Sequence, residues 1–282
     1  MYPLTFDLTD KVVVITGGAG VLGSSFSRAC AQAGAKVVIL GRSLEKALKL
    51  KDEIAASGYT ALAVSSDVLN KESIEQAKEI VNQVFGPVDI LINAAGGNDL
   101  KATTKDEYFN EETVLKNEDM HFFNMDLKGF DYVFGLNFQG TLIPSQVFMK
   151  DMIGKEGCSV LNISSMSSYN PLTKVAAYSA AKAAINNFTQ WMAVHFAQAG
   201  IRVNAMAPGF FVTEQNKNLL VNADGTLTPR SHKIIEATPM KRFGEPDELV
   251  GTLLYLIDPK QSKFVTGIVV PVDGGFSSYS GV

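Results

Sequence analysis

Cysteine is scarce in this chain, with only Cys30 and Cys158 among 282 residues. Two cysteines so far apart provide no disulfide framework and match no zinc-ligand spacing, so both are expected to pack as small apolar groups. No cluster of histidine, cysteine and carboxylate residues has the spacing of a metal site, and we expect no metal.

Positive charge and long apolar runs are also in short supply. Lysine and arginine number 25 against 29 aspartates and glutamates, a net charge of −4, which argues against a nucleic-acid-binding surface. No apolar run approaches the roughly 18 residues of a membrane helix, and the first ten residues lack the pattern of a signal peptide. We expect a soluble protein of the cytoplasm that binds neither nucleic acid nor membrane.

Apolar residues make up 46% of the chain, ample for a core in one large domain over residues 1–282; two small domains are the alternative. Short runs that are apolar at every position alternate with helical stretches, which is typical of parallel strands buried on both faces. The pattern predicts an α/β fold, a Rossmann-type doubly wound parallel sheet of about seven strands with helices on both faces. The predicted strands are 11–16, 36–40, 61–65, 89–93, 159–164, 202–207 and 268–272, and the predicted helices are 22–33, 43–56, 71–85, 130–152 and 176–199.

Two polar, partly aromatic segments interrupt this alternation, at residues 97–131 and 210–240. Each follows a predicted strand, and ligands of doubly wound sheets bind outside the carboxyl ends of the strands. We interpret both segments as insertions that form walls or lids of a substrate site. Surface excursions without a role are the alternative.

A glycine cluster follows the first predicted strand. Gly18, Gly20 and Gly23 satisfy the G-x-G-x-x-G pattern, which is weak alone but here lies between a strand and a helix, the context that dinucleotide binding requires. Glycines there let backbone N–H groups approach a pyrophosphate at the positive end of the helix. A plain strand-to-helix turn is the alternative.

The end of the second predicted strand bears on the choice of cofactor. NAD-binding folds usually place an acid about 20 residues beyond the glycines, where it binds the ribose 2′-hydroxyl. Here Gly41 occupies that place and is followed by Arg42 and Ser43. Arg42 could clamp a 2′-phosphate, so NADP(H) is favoured. NAD(H) is the alternative, because no acid at Gly41 discriminates between the two.

Tyr178 and Lys182 lie four residues apart, on one face of the predicted helix. A free tyrosine has a pKa of about 10 and exchanges protons poorly at neutral pH. The neighbouring ammonium is expected to lower the pKa of Tyr178, which could then exchange a proton with a substrate oxygen while a hydride moves at carbon. An ordinary surface pair is the alternative.

Other polar residues are predicted near this pair. Ser165 follows the fifth strand and offers a hydroxyl to the substrate oxygen, and Asn93 ends the fourth strand at the same edge. Asn137 stands in the middle of a predicted helix, where asparagine is a mediocre helix former, and this indicates a local break with a polar role.

In order and spacing, these motifs resemble those of the short-chain dehydrogenase/reductase family over nearly the whole chain. The resemblance implies an NAD(P)-dependent oxidoreductase acting on CH–OH groups, with Tyr178 as the general acid/base. It further implies that Ser165 orients the substrate and that Asn137 anchors a proton-relay water. Lys182 would hold the ribose and tune Tyr178. The motifs are TGGAGVLG (16–23), Asp67-Val68, NAAG (93–96), Asn137, Ser165, Tyr178 with Lys182, Pro208-Gly209 with Thr213, and VDGG (272–275).

The same resemblance implies the cofactor contacts, with Asp67 at the adenine and the residues after Pro208 along the nicotinamide. One departure stands out: Val21 occupies the place of the family's middle glycine, and Gly20 lies one position earlier, so a rearranged turn is expected. The implied cofactor-binding residues are Gly17, Gly18, Gly20, Val21, Leu22, Gly23, Arg42, Ser43, Asp67, Val68, Asn93, Ala94, Gly96, Tyr178, Lys182, Pro208, Gly209 and Thr213.

Within the family, the stretches 94–104, 136–148, 171–197 and 207–216 and the tail are most similar to the branch of D-mannonate oxidoreductases, also called fructuronate reductases. The resemblance implies a place in hexuronate metabolism, interconverting D-fructuronate and D-mannonate. The alternatives are another polyol or keto sugar acid, as in gluconate 5-dehydrogenases, and a non-catalytic sensor of the nicotinamide cofactor.

A sugar-acid site needs a cation and many polar groups. Each charged candidate could also be an ordinary solvated residue. The resemblance further implies a homo-oligomer, a tetramer, with the 176–199 helix facing a partner subunit. The candidates for substrate contact are Asn98, Lys101, Thr103, Thr104, Lys174, Glu214, Gln215, Asn216 and Arg230.

Overall fold

The structure, a computed structural model, describes residues 5–117, 120–212 and 220–281. These residues form one seven-stranded parallel sheet, in which the strands, counted along the chain, lie in the order third, second, first, fourth, fifth, sixth, seventh. The single-domain doubly wound fold predicted from the sequence is confirmed, and the strand positions agree to within one residue. The strands are β1 (Val12–Thr16), β2 (Lys36–Gly41), β3 (Ala61–Ser65), β4 (Ile90–Asn93), β5 (Ser159–Ile163), β6 (Arg202–Pro208) and β7 (Val269–Val272).

Helices cover both faces of the sheet. Val13 and Ile15 of β1 pack with the helices Val21–Gln32, Leu44–Ala56 and Val250–Ile257, whereas Val12 and Val14 pack with the helices Lys71–Val84, Leu127–Phe148 and Ala176–His195. Alternate residues of one strand therefore enter two separate cores, which explains why the strand is apolar throughout. The helices are α1 (Val21–Gln32), α2 (Leu44–Ala56), α3 (Lys71–Val84), α4 (Glu111–Lys116), α5 (Leu127–Phe148), α6 (Ala176–His195), α7 (Pro229–Ala237) and α8 (Val250–Ile257).

The long helices α5 and α6 end earlier than predicted. Residues 149–152, after α5, and 197–199, after α6, form 3-10 turns. Within the described residues, no helix has the length and apolar character that a membrane span requires. A location in the cytoplasm stays a prediction from the sequence.

The two interrupting segments leave the sheet at the carboxyl ends of β4 and β6. The first contains α4, and its buried Ala102 packs with Val133 of α5 and Ala177 of α6. The second contains α7. Residues 118–119 and 213–219 lie outside the described residues. Strand order reverses between β1 and β4, and ligands of such sheets bind at this switch point.

Candidate active site

The glycine turn joins β1 to α1. Gly17 adopts a left-handed φ of +65°, and the N–H of Gly20 donates to its carbonyl oxygen at 2.9 Å. A Cβ added to Gly23 would lie 2.1 Å from that same oxygen, so the helix can approach the turn only if this residue is glycine. The first residue of α1 is Val21. Valine, in the place of the family's middle glycine, therefore belongs to the helix and not to the turn.

The amino end of α1 faces this turn without a side-chain cap. Among the described residues, no side chain bonds the helix at Gly20, and its first turn carries no acid. The helix dipole is therefore available to an anion such as a pyrophosphate. A Cβ on Gly17 would lie 3.0 Å from Cα of Ala95 and one on Gly18 2.9 Å from the oxygen of Ile15. The turn thus fits the predicted cofactor cradle.

The end of β2 is open. A Cβ added to Gly41 would meet nothing within 4 Å, and the side chain of Arg42 is exposed. Ser43 caps α2 by accepting a hydrogen bond from the N–H of Lys46 at 3.4 Å. A cationic side chain therefore stands beside open space, where a ribose substituent could be received.

Asp67 and Val68 follow β3. The Asp67 carboxylate accepts a hydrogen bond from the N–H of Leu69 at 3.0 Å, which fixes a turn after the strand. Val68 is buried, and a Cβ on Gly140 would lie 3.0 Å from its Cγ2 atom. Any cofactor contact at Val68 would therefore involve its main chain.

Asn93, at the end of β4, points into the protein. Its Nδ2 donates to Ser145 at 3.0 Å and to Asn162 at 2.9 Å, and Asn162 donates to Thr189 at 2.9 Å. These bonds link β4 and β5 to α5 and α6. Any contact between Asn93 and a cofactor would therefore be made by main-chain atoms, as at Val68.

The backbone after Asn93 is fixed to the neighbouring strand. Thr16 Oγ1, at the end of β1, accepts hydrogen bonds from the N–H groups of Ala94 and Ala95 at 3.1 Å each. A Cβ on Gly96 would lie 2.7 Å from Oδ1 of Asn137 and 3.3 Å from Nζ of Lys182. Gly96 therefore lies directly against two of the predicted catalytic side chains.

Asn137 is fully buried within an unbroken α5. The predicted local break in this helix is wrong, because the amide satisfies the helix itself by donating to the carbonyl oxygen of Val133 at 2.8 Å. It also donates to Gly97 O at 2.7 Å and accepts from Gly97 N at 3.3 Å. The side chain thus fixes the start of the first interrupting segment, and its role as anchor of a relay water stays a prediction.

Tyr178, Lys182 and Ser165 meet at the carboxyl end of β5. Lys182 is buried, with 4% of its surface exposed, and its Nζ donates to the carbonyl oxygen of Ile163 at 2.8 Å. The ammonium lies 5.5 Å from the centre of the Tyr178 ring. Ser165 lies near enough to Tyr178 for its hydroxyl to lower the pKa of the tyrosine. The four predicted catalytic residues are therefore brought together.

The shift in the pKa of Tyr178 differs from the prediction. Burial raises the pKa of Tyr178, and only the hydrogen bond with Ser165 opposes it. Burial also lowers the pKa of Lys182 to about 7. The expected lowering of the pKa of Tyr178 by Lys182 is therefore not observed, because burial is the largest influence on this hydroxyl.

Pro208 and Gly209, at the end of β6, lie against the VDGG motif. Gly209 N donates to Val272 O at 2.9 Å, and a Cβ on Gly209 would lie 2.6 Å from Cα of Asp273. Thr213, together with the substrate candidates Glu214, Gln215 and Asn216, lies outside the described residues.

Among the substrate candidates, Arg230 is a cation whose side chain is only 22% exposed. It extends from α7 and lies 3.5 Å from the Glu107 carboxylate and 3.3 Å from Oγ1 of Thr173. Lys174 follows Thr173, and its carbonyl oxygen accepts from Thr104 N at 3.1 Å. The loop that precedes Tyr178 thus contacts both interrupting segments.

Two of the remaining candidates lie at the surface. Lys101 and Asn98 are exposed, and Asn98 donates to Thr103 at 3.2 Å. Glu107 was not among the predicted site residues, and no local sequence pattern indicates it. Its position becomes evident from its ion pairs with Arg230 and Lys233. Asn186 was also missed, although its spacing of four from Lys182 could have indicated a shared helix face.

Comparison with known proteins agrees with this geometry. The family model of the short-chain dehydrogenases matches residues 11–223. An uncharacterized oxidoreductase, UxuB, of Bacillus subtilis is 56% identical over the full length of both chains. A crystal structure from Haemophilus influenzae, described as a candidate D-mannonate oxidoreductase with bound NAD, has a TM-score of 0.92 at 49% identity, covering 98% of each chain. A gluconate 5-dehydrogenase of Burkholderia cenocepacia, in complex with NADP and tartrate, has a TM-score of 0.81 at 29% identity, covering 97% of each.

The chain therefore belongs to the short-chain dehydrogenase/reductase family. It is an oxidoreductase of that family, with a nicotinamide cofactor as its redox partner.

Proposed function

We propose that this enzyme interconverts a keto sugar acid and the corresponding alcohol, with D-fructuronate and D-mannonate as the pair. The observation that carries the proposal is the embedded Arg230, which contacts the loop leading to Tyr178 and offers a guanidinium to a substrate carboxylate. Similarity to the candidate D-mannonate oxidoreductase from Haemophilus influenzae supports the same substrate.

Tyr178 would exchange a proton with the substrate oxygen, and Ser165 would orient that oxygen through its hydroxyl. Lys182 would hold the ribose and, with its pKa near neutrality, accept or return a proton behind Tyr178. Asn137 would keep Gly97 and the adjoining segment in place and anchor a relay water. The nicotinamide, when bound, supplies or accepts the hydride.

The cofactor would lie along the carboxyl ends of β1, β2 and β4, with its pyrophosphate at the start of α1. NADP(H) is favoured because Arg42 stands beside the open position at Gly41. The relatives do not share one preference, since NAD is bound in the Haemophilus structure and NADP in the Burkholderia one. Thr213 and the residues after Pro208 would complete the nicotinamide side.

The segments 97–131 and 210–240 would form the walls or lids of the substrate site. Both approach the loop before Tyr178: Thr104 bonds Lys174, and Arg230 bonds Thr173. Their polar character fits a sugar acid better than a steroid or an acyl chain.

The enzyme would act as a homo-oligomer, a tetramer. On the outer face of α6, Trp191 is 55% exposed and stacks on His195, with ring centres 4.6 Å apart. Phe188 also stacks on Trp191, with ring centres 6.2 Å apart. Such an exposed aromatic row is typical of a subunit contact.

A second candidate is a dehydrogenase of gluconate or another hydroxy acid. The Burkholderia gluconate 5-dehydrogenase favours it, because tartrate is bound in that structure. A non-catalytic cofactor sensor is disfavoured, because Ser165, Tyr178 and Lys182 are all present and assembled.

The test is a rate panel at 340 nm with fructuronate, tagaturonate, 5-ketogluconate and a ketoacyl thioester, each with NADH and NADPH. We expect turnover with fructuronate; turnover with 5-ketogluconate alone would support the second candidate. Tyr178→Phe should abolish turnover and leave cofactor binding, measured by fluorescence titration, nearly intact. A Tyr178→Phe enzyme with near wild-type rate would refute the catalytic assignment.

A further inference from the structure

Ser165 begins a 3-10 turn, Met166–Ser168, that follows β5. Its Oγ accepts a hydrogen bond from Ser167 N at 3.2 Å. Its carbonyl oxygen accepts one from Ser168 Oγ at 2.6 Å. The direction of the Ser165 hydroxyl therefore depends on how this turn is held.

The side-chain amide of Asn186 holds the turn from both sides. Its Nδ2 donates to Ser168 Oγ at 2.7 Å, and its Oδ1 accepts from Ser164 Oγ at 2.5 Å. Ser164 Oγ also lies 3.3 Å from Ser168 Oγ and from Lys182 O. A hydroxyl has one proton to donate, and the contact with Asn186 is the shortest of the three. The Asn186 amide thus links Ser164, which precedes Ser165, to Ser168, the last residue of the turn.

The proton arrangement requires an amide at this position. Ser168 donates its hydroxyl proton to the Ser165 carbonyl oxygen, which can only accept, so Ser168 Oγ must accept from Asn186. The opposite atom of the amide is then an acceptor, as the Ser164 hydroxyl needs. A carboxylate of the same shape would place an acceptor against Ser168 with no proton between them.

Asn186 belongs to the same helix as the proton-transfer pair. It lies one helical turn beyond Lys182 and two turns beyond Tyr178 on α6, so the three side chains share one face. A single rigid helix therefore carries the tyrosine and also the group that fixes the serine facing it.

We propose that Asn186 is a positioning residue that sets the Ser165 hydroxyl relative to the Tyr178 hydroxyl. The proposal rests on the proposed function, in which these two hydroxyls act on the substrate oxygen. Misplacement of a catalytic group by about 1 Å costs on the order of a hundredfold in rate. Loss of the Asn186 bonds should therefore lower kcat and have little effect on cofactor binding.

The experiment compares Asn186→Asp, which keeps the shape and removes the donor, with Asn186→Ala, which removes both bonds without adding charge. Each should lower kcat about 10- to 100-fold, with cofactor affinity from fluorescence titration changed less than about threefold. Asn187→Asp is the matched control, because Asn187 is the next residue on α6 and is exposed. Its kcat should stay at the wild-type value.

A double-mutant cycle separates positioning from a general loss of structure. In a Ser165→Ala background, Asn186→Asp should cause no further loss of kcat, because the hydroxyl that it positions is already gone. An equal loss in both backgrounds, or an unchanged kcat for Asn186→Asp, would overturn the proposal. Near wild-type rates for Ser165→Ala and Tyr178→Phe would instead show that the proposed function fails.

The pH profile of alcohol oxidation gives a second readout, even where the double variant is too slow to measure. The hydrogen bond with Ser165 lowers the pKa of Tyr178. When that bond is loosened, the rise of kcat with pH should move to higher pH in both Asn186 variants and stay in place in Asn187→Asp. An unshifted profile in Asn186→Ala would contradict a positioning role.

Discussion

The guanidinium of Arg230 lies 3.5 Å from the carboxylate of Glu107, although the two residues are 123 positions apart in the sequence. Glu107 also accepts a bond from Lys233 at 2.8 Å, and this bond is the main cause that holds the pKa of Glu107 below its usual range. The two interrupting segments are thus joined by an ionised carboxylate, which stands where a substrate carboxylate could compete for Arg230.

Arg230→Ala should therefore raise KM for a sugar-acid substrate by about 10- to 100-fold, the loss expected for a charge-assisted hydrogen bond. The kcat should change much less, because Arg230 does not contact Ser165, Tyr178 or Lys182 in the described structure. Steady-state kinetics with fructuronate measures both constants.

Lys233→Ala is the control for Arg230→Ala, because Lys233 contacts the same carboxylate but is mostly exposed. Its KM should stay within about threefold of wild type, as expected for an exposed ion pair. Equal increases of KM in the two variants would show that Arg230 acts only by holding Glu107.

The open position at Gly41 allows the cofactor preference to be reversed. Gly41→Asp should raise KM for NADPH by about tenfold or more through repulsion of the 2′-phosphate, and should lower KM for NADH by accepting from the ribose 2′-hydroxyl. Gly41→Ala is the size control, since its Cβ would meet nothing within 4 Å. If Gly41→Asp and Gly41→Ala gave the same ratio of NADPH to NADH constants, this reading of the strand end would be refuted.

Lys182 makes the stability of the cofactor-free protein depend on pH. Its pKa is lowered from 10.5 to about 7 by burial, so between pH 7 and 10.5 the unfolded chain binds more protons than the folded one. The free energy of unfolding should therefore rise with pH across this window. Below pH 7 the protein bears the full penalty of burying the charged Lys182.

Lys182→Met should remove that penalty. The variant should exceed wild type in unfolding free energy by on the order of a few kcal/mol below pH 7, reduced by the loss of the bond to Ile163 O. The difference should shrink as pH rises toward 10. Urea unfolding at several pH values measures it, and a difference that is constant with pH would contradict the assignment.

Much of the fold could be predicted because local patterns determine it. The runs that are apolar at every position form β1 and β2, which are buried on both faces. The glycines at 17–23 indicate the place where turn and helix come into close contact. Tyr178 and Lys182 share a helix, so their proximity follows from spacing alone.

Other features depend on the direction in which a side chain points, or on which segments meet, and residue spacing determines neither. The ammonium of Lys182 donates to Ile163 O, and burial raises the pKa of Tyr178. Asn137 bonds the carbonyl oxygen one turn earlier in its own helix, so the helix needs no break. The Glu107–Arg230 pair forms only once two distant segments meet, and no periodic pattern connects them.

The bond between Thr104 N and Lys174 O, at 3.1 Å, attaches the first interrupting segment to the loop before α6 through main-chain atoms alone. A main-chain attachment persists whatever side chains the segment carries. In the proposed function, the segment could therefore differ in sequence, and so in the shape and charge that it offers to a substrate, while staying attached to the loop before the helix that carries Tyr178 and Lys182. Selectivity for the substrate would then vary independently of the type of reaction.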